Sequence, residues 1–488
     1  MVQEQEAPIA SGNQKWLAMA GIGMGVFMAT LDSSIVNISL PTLVNELHTD
    51  FATITWVILS YVLVLTSLML GAARLGDMFD KKKLYIIGLI LFTISSFLCG
   101  IAPGVGWLIG FRALQGIGAA MTQALGAAII TQIFPAKERG RALGLIGTTV
   151  STGIAIGPPI GGLLIGLVGW RAIFLVNIPV GILAVYVVSR VVPSLSTRPG
   201  QRFDGLGAAI LFSTLACYAM GMTLWQQQGL AAPLPRVLLI AALAGMVFFI
   251  WLETRIQQPM IDLNLFRNVL FSLNLLMGFL VFIVMAGAFI MPFFLENVKG
   301  YAVQTVGLIL MANPIAMGLV APAAGALSDR YGSRGITLAG LGLITLSCLT
   351  ISTLNENVSA LGFIARYIPL GLGLGFFQSP NNSAIMGAAP RDRLGVASGL
   401  LSLARTLGQT TGLPLMGALF TTLALAKGGL PVGTDATTAP ANAIVSGING
   451  TYQIAAIIIF ASLLLASTAL WLDNRKKQEA RVDFQKQP

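Results

Sequence analysis

Charge is what this sequence has least of. Asp, Glu, Lys and Arg make up 10% of its 488 residues, where a soluble domain carries about 25%. Hydrophobic residues reach 55% and the mean hydropathy is +0.82. A soluble enzyme with an ordinary hydrated surface is excluded, because the solvent of this chain is largely lipid. Histidine occurs once, as His48 in a short polar loop, so neither a zinc site nor a histidine relay is expected. Cysteine occurs three times, and Cys99, Cys217 and Cys348 all fall in apolar runs. They lack the spacing of a disulfide framework or a metal site and are read as packing residues. No Gly-Lys dipeptide occurs, which removes the GxxxxGK[ST] phosphate loop and with it an ATP-driven pump in one chain. No metal or cofactor is expected.

What the sequence does have is one pattern stated twice. Gly153-Ile-Ala-Ile-Gly157-Pro158-Pro159-Ile-Gly161-Gly162 returns as Gly408-Gln-Thr-Thr-Gly412-Leu-Pro414-Leu-Met-Gly417, with Gly153, Gly157, Pro159 and Gly162 each repeated 255 residues on. Gly140, Ala142 and Gly144 recur at the same distance as Gly395, Ala397 and Gly399. A membrane repeat of about half a chain marks a transporter built from two related halves.

Fourteen apolar runs are long enough to cross a bilayer core of about 30 Å at 1.5 Å per residue. Their approximate limits are 16–40, 54–76, 84–102, 106–133, 141–168, 171–192, 204–225, 235–253, 269–295, 303–327, 336–354, 358–387, 395–424 and 450–472. The first is too long for a cleavable signal core and is expected to remain as a span. With both termini inside, 22 lysines and arginines fall in inner segments and 4 in outer loops. That bias fits the positive-inside rule and a cytoplasmic-membrane protein. The net charge of +10 therefore reports topology, and no nucleic-acid partner is expected. The expected plan is all-α: a six-helix bundle over 1–193, two inserted helices with linkers over 194–267, a second six-helix bundle over 268–472, and a charged cytoplasmic tail over 473–488. The stretch 426–449 is expected to be an external, mostly irregular loop. The protein is expected to work as a monomer among membrane lipids.

Three groups of residues carry candidate chemistry. Asp32 is the one carboxylate well inside a span, and an acid in lipid marks an ion or proton pathway by default. On a helical wheel it shares a stripe with Met28 and Ser39, while Thr30, Ser34 and Asn37 form a separate polar stripe. Arg112 is the other intramembrane charge of the first half; Arg366 and Arg405 lie in spans of the second half with no acid beside them. Next, two inner loops pair an acid with a basic turn: Asp77 with Lys81 and Lys82, and Asp329 with Arg330 and Arg334. Such loops suit docking on neighbouring helix ends and release between conformations. Gly153, Gly157, Pro158 and Pro159 put helix breakers and small residues in one span, which suits a bend and close contact between halves, sealing the inner side. Finally, Gln123, Gln378, Asn381, Asn382, Trp56 and Tyr61 are candidates for a substrate cavity, since amides in a span must line a cavity or pair with other helices.

Several of these residues carry a family resemblance. Gly325-Ala-Leu-Ser-Asp329-Arg330-Tyr-Gly332-Ser-Arg334 resembles the loop signature G-x-x-x-D-[RK]-x-G-[RK]-[RK] of the major facilitator superfamily. The first copy departs from it, with Ala73 for the leading glycine, Met78 for the first basic residue and Asp80 for the internal glycine. Leu31-Asp32-Ser33-Ser34-Ile35-Val36-Asn37 resembles the first-span signature of the fourteen-span drug:proton antiporters in that superfamily. Arg112-Ala-Leu-Gln115-Gly116, the Gly153–Gly162 stretch, and Trp170-Arg171-Ala-Ile-Phe174-Leu-Val-Asn177-Ile-Pro179 resemble later signatures of the same branch.

The resemblance implies a proton-coupled multidrug efflux transporter that works by alternating access, draws on the proton gradient, and uses Asp32 and Arg112 for coupling. The expected substrate is a small lipophilic compound, cationic by that analogy. Three rivals stay open on sequence: the same fold moving a lipid, siderophore, amino acid or sugar derivative; a non-transporting membrane sensor, against which the short loops argue; and a membrane enzyme, for which paired acids or histidine clusters are missing.

Overall fold

The computed structural model describes residues 12–134, 136–194, 204–228, 232–256, 263–388, 394–431 and 434–485. Its described part is helical nearly throughout. The first six helices are α1 (Gly12–Glu46), α2 (Phe51–Met78), α3 (Lys81–Gly100), α4 (Val105–Ile133), α5 (Ala136–Val168) and α6 (Ala172–Val191). Then come α7 (Gly205–Gln228) and α8 (Pro233–Glu253). The last six are α9 (Val269–Val298), α10 in two pieces (Val303–Leu310 and Ala312–Tyr331), α11 (Ser333–Ile351), α12 (Ala360–Ala388), α13 (Leu394–Gly428) and α14 (Ala441–Gln485). Twelve of the described helices are long and apolar enough to cross a membrane. The remaining two, α5 and α13, are helices of 33 and 35 residues. In α5 the apolar stretch among the described residues is the shorter Thr152–Val168, and in α13 polar positions such as Arg405 and Gln409 dilute the apolar character.

The helices divide as the repeat predicts. Within the first half α2 and α3 pack on α4, and α1 packs on α5 and α6. In the second half α10 and α11 pack on α12, and α9 packs on α13. Repeated glycines set both inner contacts. A Cβ at Gly153 or Gly157 would strike Thr30 or Ser34 of α1, and one at Gly408 would meet the Phe279 carbonyl of α9 at 2.6 Å. Only glycine allows so close an approach. The outward faces are apolar: Ile87, Ile90, Ile94, Phe97 and Ile101 form an exposed stripe along α3, which is stable only against lipid.

Between the halves the two grooves are closed differently. On one side α5 meets α10, where a Cβ at Gly162 would lie 2.6 Å from the Val303 carbonyl and one at Gly307 would strike the Pro158 carbonyl. On the other side α2 faces α13, and α7 lies along both. Ala219 of α7 packs with Leu63 and Val64, while Leu211 and Leu215 share a core with Leu400 and Leu401. α8 rides on α7, with Gly245 against Thr214, and turns Val237, Ile240, Leu243 and Val247 outward.

The end of the bundle that carries the α1–α2 turn is sealed. Phe51, buried at the start of α2, stacks on Phe289 at 5.5 Å between ring centroids and meets Phe293 and Phe420 edge-on at 5.0 and 5.6 Å. Its backbone N–H donates to Asp435 Oδ2 at 3.2 Å. With the α5–α10 contact, this joins the halves at one end. In the orientation that the charges predict this is the outer end, so the inner seal expected of Gly157-Pro158-Pro159 is corrected to an outer one. Two smaller corrections follow. The stretch 426–449 is not mostly irregular, since α14 already begins at Ala441 and Asp435 caps a short turn over Ala436–Thr438. The charged tail is helical as far as Gln485.

Candidate functional site

A cavity of about 430 Å³ lies between the halves. Its walls come from α1, α2, α4 and α5 and from their counterparts α9, α10, α12 and α13. The polar stripe Thr30, Ser34 and Asn37 faces it. Of the six cavity candidates, Gln123, Gln378 and Tyr61 line it. Trp56, Asn381 and Asn382 are off the wall. Trp56 packs into the hydrophobic core, and Asn381 is buried with its amide donating to the Asn274 carbonyl at 3.3 Å. Asn382 sits one layer behind, accepting from Arg405 Nη2 at 2.6 Å. Composition marked α12 as polar but not which of its two polar faces meets the cavity.

Asp32 points away from the cavity, into the first half, on the same buried stripe as Met28 and Ser39. It is 0% exposed. Arg112 Nη1 donates to its Oδ2 at 2.5 Å, and the amides of Gln115 and Asn177 donate to its Oδ1 at 3.0 and 2.8 Å. Both amides also donate to Ser96 Oγ, at 2.7 and 3.1 Å. Arg112 is 1% exposed yet borders the cavity. It further donates to the Val57 carbonyl at 2.9 Å and to Gln115 Oε1 at 2.6 Å, and lies over the Tyr61 ring at 4.2 Å. Three helices, α1, α4 and α6, thus meet on one carboxylate, and α3 joins them through Ser96. A buried ion pair persists only when its remaining donors and acceptors are satisfied, and here they nearly all are. Sequence reasoning singled out Asp32 and Arg112 as site residues but not Ser96, Gln115 and Asn177. The signal was available, since each is polar within an apolar run.

Every group aimed at Asp32 is a donor. A proton arriving on the carboxylate would remove the charge that holds Arg112 and add a further donor to the cluster. The acceptors in the cluster are Ser96 Oγ, Gln115 Oε1 and the unpartnered Asn177 Oδ1, but Asn177 presents its Nδ2 to Asp32, so the cluster has to repack. Because Arg112 and Tyr61 are also cavity wall, such repacking would reach the cavity directly.

The proline pair is accommodated by the same helices. Pro158 lacks the N–H that would bind the Ile154 carbonyl four residues earlier. Ser34 Oγ of α1 donates to that carbonyl instead, at 3.0 Å. Pro158 and Pro159 therefore sit inside an unbroken helix, and Pro158 lines the cavity.

The two loops turn by different means. Gly332, at φ +88°, ends α10 and admits α11. In the first half Asp80 does that work with ordinary dihedrals, its carboxylate accepting from the Lys82 N–H at 2.9 Å. Lys81 is buried, Lys82 half-buried, and Arg330 lies over the Tyr331 ring at 5.3 Å. Arg334 donates to Asn274 Oδ1 of α9 at 2.9 Å. The side chains of Asp77 and Asp329 lie outside the described residues. Among the described residues no group of three or more His, Cys, Asp and Glu is placed to hold a metal.

The sequence profile of the Major Facilitator Superfamily matches residues 22–413. The chain is 33% identical over 457 residues to the riboflavin transporter RibZ of Clostridioides difficile (strain 630), covering 93% of this chain and 97% of that one. It is 33% identical over 405 residues to the multidrug resistance protein Stp of Mycobacterium tuberculosis (strain CDC 1551 / Oshkosh), covering 83% and 75%. Among solved structures, a bacterial homologue of the human lysosomal transporter Spinster, in an inward-facing and unoccupied conformation, superposes with a TM-score of 0.68. That match is at 17% identity over 94% of this chain and 97% of that one, and it speaks for the fold alone.

Proposed function

The chain belongs to the Major Facilitator Superfamily and is a membrane-embedded transporter, not an enzyme; from that premise we propose that it is a secondary antiporter that exports small lipophilic compounds in exchange for protons. The observation that carries this reading is the placement of Asp32, a fully buried acid whose main partner, Arg112, is cavity wall. Proton uptake on Asp32 frees Arg112, the cluster of Ser96, Gln115 and Asn177 repacks, and the change reaches the ligand through Tyr61. All fourteen helices cross the cytoplasmic membrane with both termini inside, as the charge bias supports. The halves then rock about the α5–α10 contact. The seal around Phe51 opens as the inner ends close, and Asp77 and Asp329 dock their loops in alternate states. Asp77→Asn and Asp329→Asn are expected to slow turnover while leaving substrate affinity within a few-fold.

The test is flux of a dye panel in proteoliposomes under an imposed pH gradient, with and without an uncoupler. Accumulation that follows the gradient and collapses with uncoupler supports the exchange. Accumulation that ignores both removes it. A second reading, a different solute on the same scaffold, is favoured by one observation: among the described residues the cavity wall carries arginines and amides but no carboxylate. The cationic substrate implied by the resemblance finds no counter-charge there.

A further inference from the structure

The charges on the cavity wall are few. Of the described residues that line it, only Arg112 and Arg405 carry a formal charge, and none is Asp or Glu. The charge of Arg112 is already met by Asp32. Arg405 has no such partner among the described residues. Its one hydrogen bond is from Nη2 to the amide oxygen of Asn382, at 2.6 Å, and its guanidinium lies over the Phe282 ring at 5.6 Å from the centroid. A guanidinium has five N–H donors, so most of this fork is unfilled and the charge is uncompensated.

From these observations we propose that Arg405 is the anchor for an anionic group on a flat aromatic substrate, so that the cavity selects aromatic anions over lipophilic cations. The proposal rests on the reading of this cavity as the transport site. A charge on a wall made largely of apolar side chains attracts its opposite and repels its like more strongly than it would in bulk water. The planar fork of arginine matches a carboxylate with two parallel hydrogen bonds. The side-chain amides of Gln378 and Gln409, which form no hydrogen bond among the described residues, face the same space and suit further polar atoms of the ligand. Phe282, Phe289 and Tyr61 supply ring faces and edges for its aromatic body. Arg405 stands on α13 and the Asp32–Arg112 pair is held between α1 and α4, so a ligand bridging the cavity touches the anchor on one side and the coupling cluster on the other.

Two dyes with one ring system test this: carboxyfluorescein, an anion at pH 7.5, and rhodamine 6G, a cation. Equilibrium binding to the full chain in lipid nanodiscs, read by fluorescence anisotropy with no gradient, is expected to favour carboxyfluorescein at least tenfold. Arg405→Gln should weaken carboxyfluorescein at least tenfold and leave rhodamine 6G within threefold. Arg405→Lys, which keeps the charge and guards against a folding artefact, should retain a preference for the anion. Equal or tighter binding of rhodamine 6G to the unmodified protein, failure of carboxyfluorescein to bind, or unchanged carboxyfluorescein affinity in Arg405→Gln would overturn the proposal. Flux separates it from the exporter reading. Anion binding as expected, with no gradient-driven movement of the dye in proteoliposomes, leaves the anion site standing and removes the exporter. Gradient-driven movement of rhodamine 6G that is indifferent to Arg405→Gln does the reverse.

Discussion

The two halves share their glycines but not their charges. Gly153 and Gly157 seat α5 on α1, and Gly408 and Gly412 seat α13 on α9 in the same manner. Yet 255 residues on from Asp32 stands Gly287, where α9 passes from α-helix into a tighter 3-10 turn before Pro292. At 255 residues on from Arg112 stands Tyr367, and its neighbour Arg366 is half-buried and donates to the Gly362 carbonyl of its own helix at 2.8 Å and to Thr353 at 3.3 Å. The cation of the second half that reaches the cavity is Arg405, on a different helix. Duplication has kept the packing frame, which any rocking-bundle transporter needs twice. It has not kept the titratable cluster. The first half therefore holds the buried acid proposed for coupling, and the second holds a cavity arginine with no acid partner among the described residues.

The sharpest way to break that comparison is to remove Arg112 from the first half and Arg366, one residue out of register with it, from the second. Arg112→Ala strands a buried carboxylate, and loss of one partner of a buried ion pair costs about 3–5 kcal/mol. Arg366→Ala is expected to cost under about 1 kcal/mol, since a half-exposed arginine with local carbonyl partners behaves like other surface positions. Thermal unfolding in detergent reads both. Equal losses would mean that the halves are not energetically distinct. The double variant Asp32→Asn with Arg112→Gln should regain most of the stability, because the uncompensated charge is gone.

A smaller effect tests the closed end. Gly307→Ala forces a Cβ into the Pro158 carbonyl, and overpacking of this kind costs typically 1–3 kcal/mol. That cost falls only on the state in which α5 and α10 touch. Cysteine accessibility from the Phe51 end should rise in this variant and stay unchanged in Gly318→Ala, where a Cβ meets nothing within 4 Å. Ser34→Ala should have the mildest effect. It leaves the Ile154 carbonyl without its hydroxyl donor, a loss of about 1 kcal/mol, again measured by thermal unfolding. A loss as large as that of Arg112→Ala would mean that Ser34 does more than satisfy a proline-orphaned carbonyl.

Much of this was legible in the sequence where periodicity decides it. The repeat fixed the two-half plan, and the 3.6-residue period separated the cavity stripe of Thr30, Ser34 and Asn37 from the buried stripe of Asp32, Met28 and Ser39. Arg112 stood out as a charge inside an apolar run. What was hidden depends on contacts distant in sequence. Gln115 and Asn177 lie 83 and 145 residues from Asp32, and no local pattern joins them. Asn381 and Asn382 were misplaced on the cavity wall because a helix inside a bundle has polar neighbours on more than one face, and amides satisfy either. Asp80 in place of the glycine of the loop signature looked like a loss. The structure shows an N-cap that builds the same turn without a left-handed residue.

The claim on which the account turns is that Asp32 couples protons without itself holding the substrate. Asp32→Asn keeps the size of the side chain and removes the titratable group. Both pH-gradient-driven accumulation and gradient-free exchange of the same dye should be measured in proteoliposomes of this variant. The account predicts that gradient-driven accumulation is lost while exchange persists at a rate near that of the unmodified protein. Undiminished gradient-driven accumulation in Asp32→Asn would contradict it.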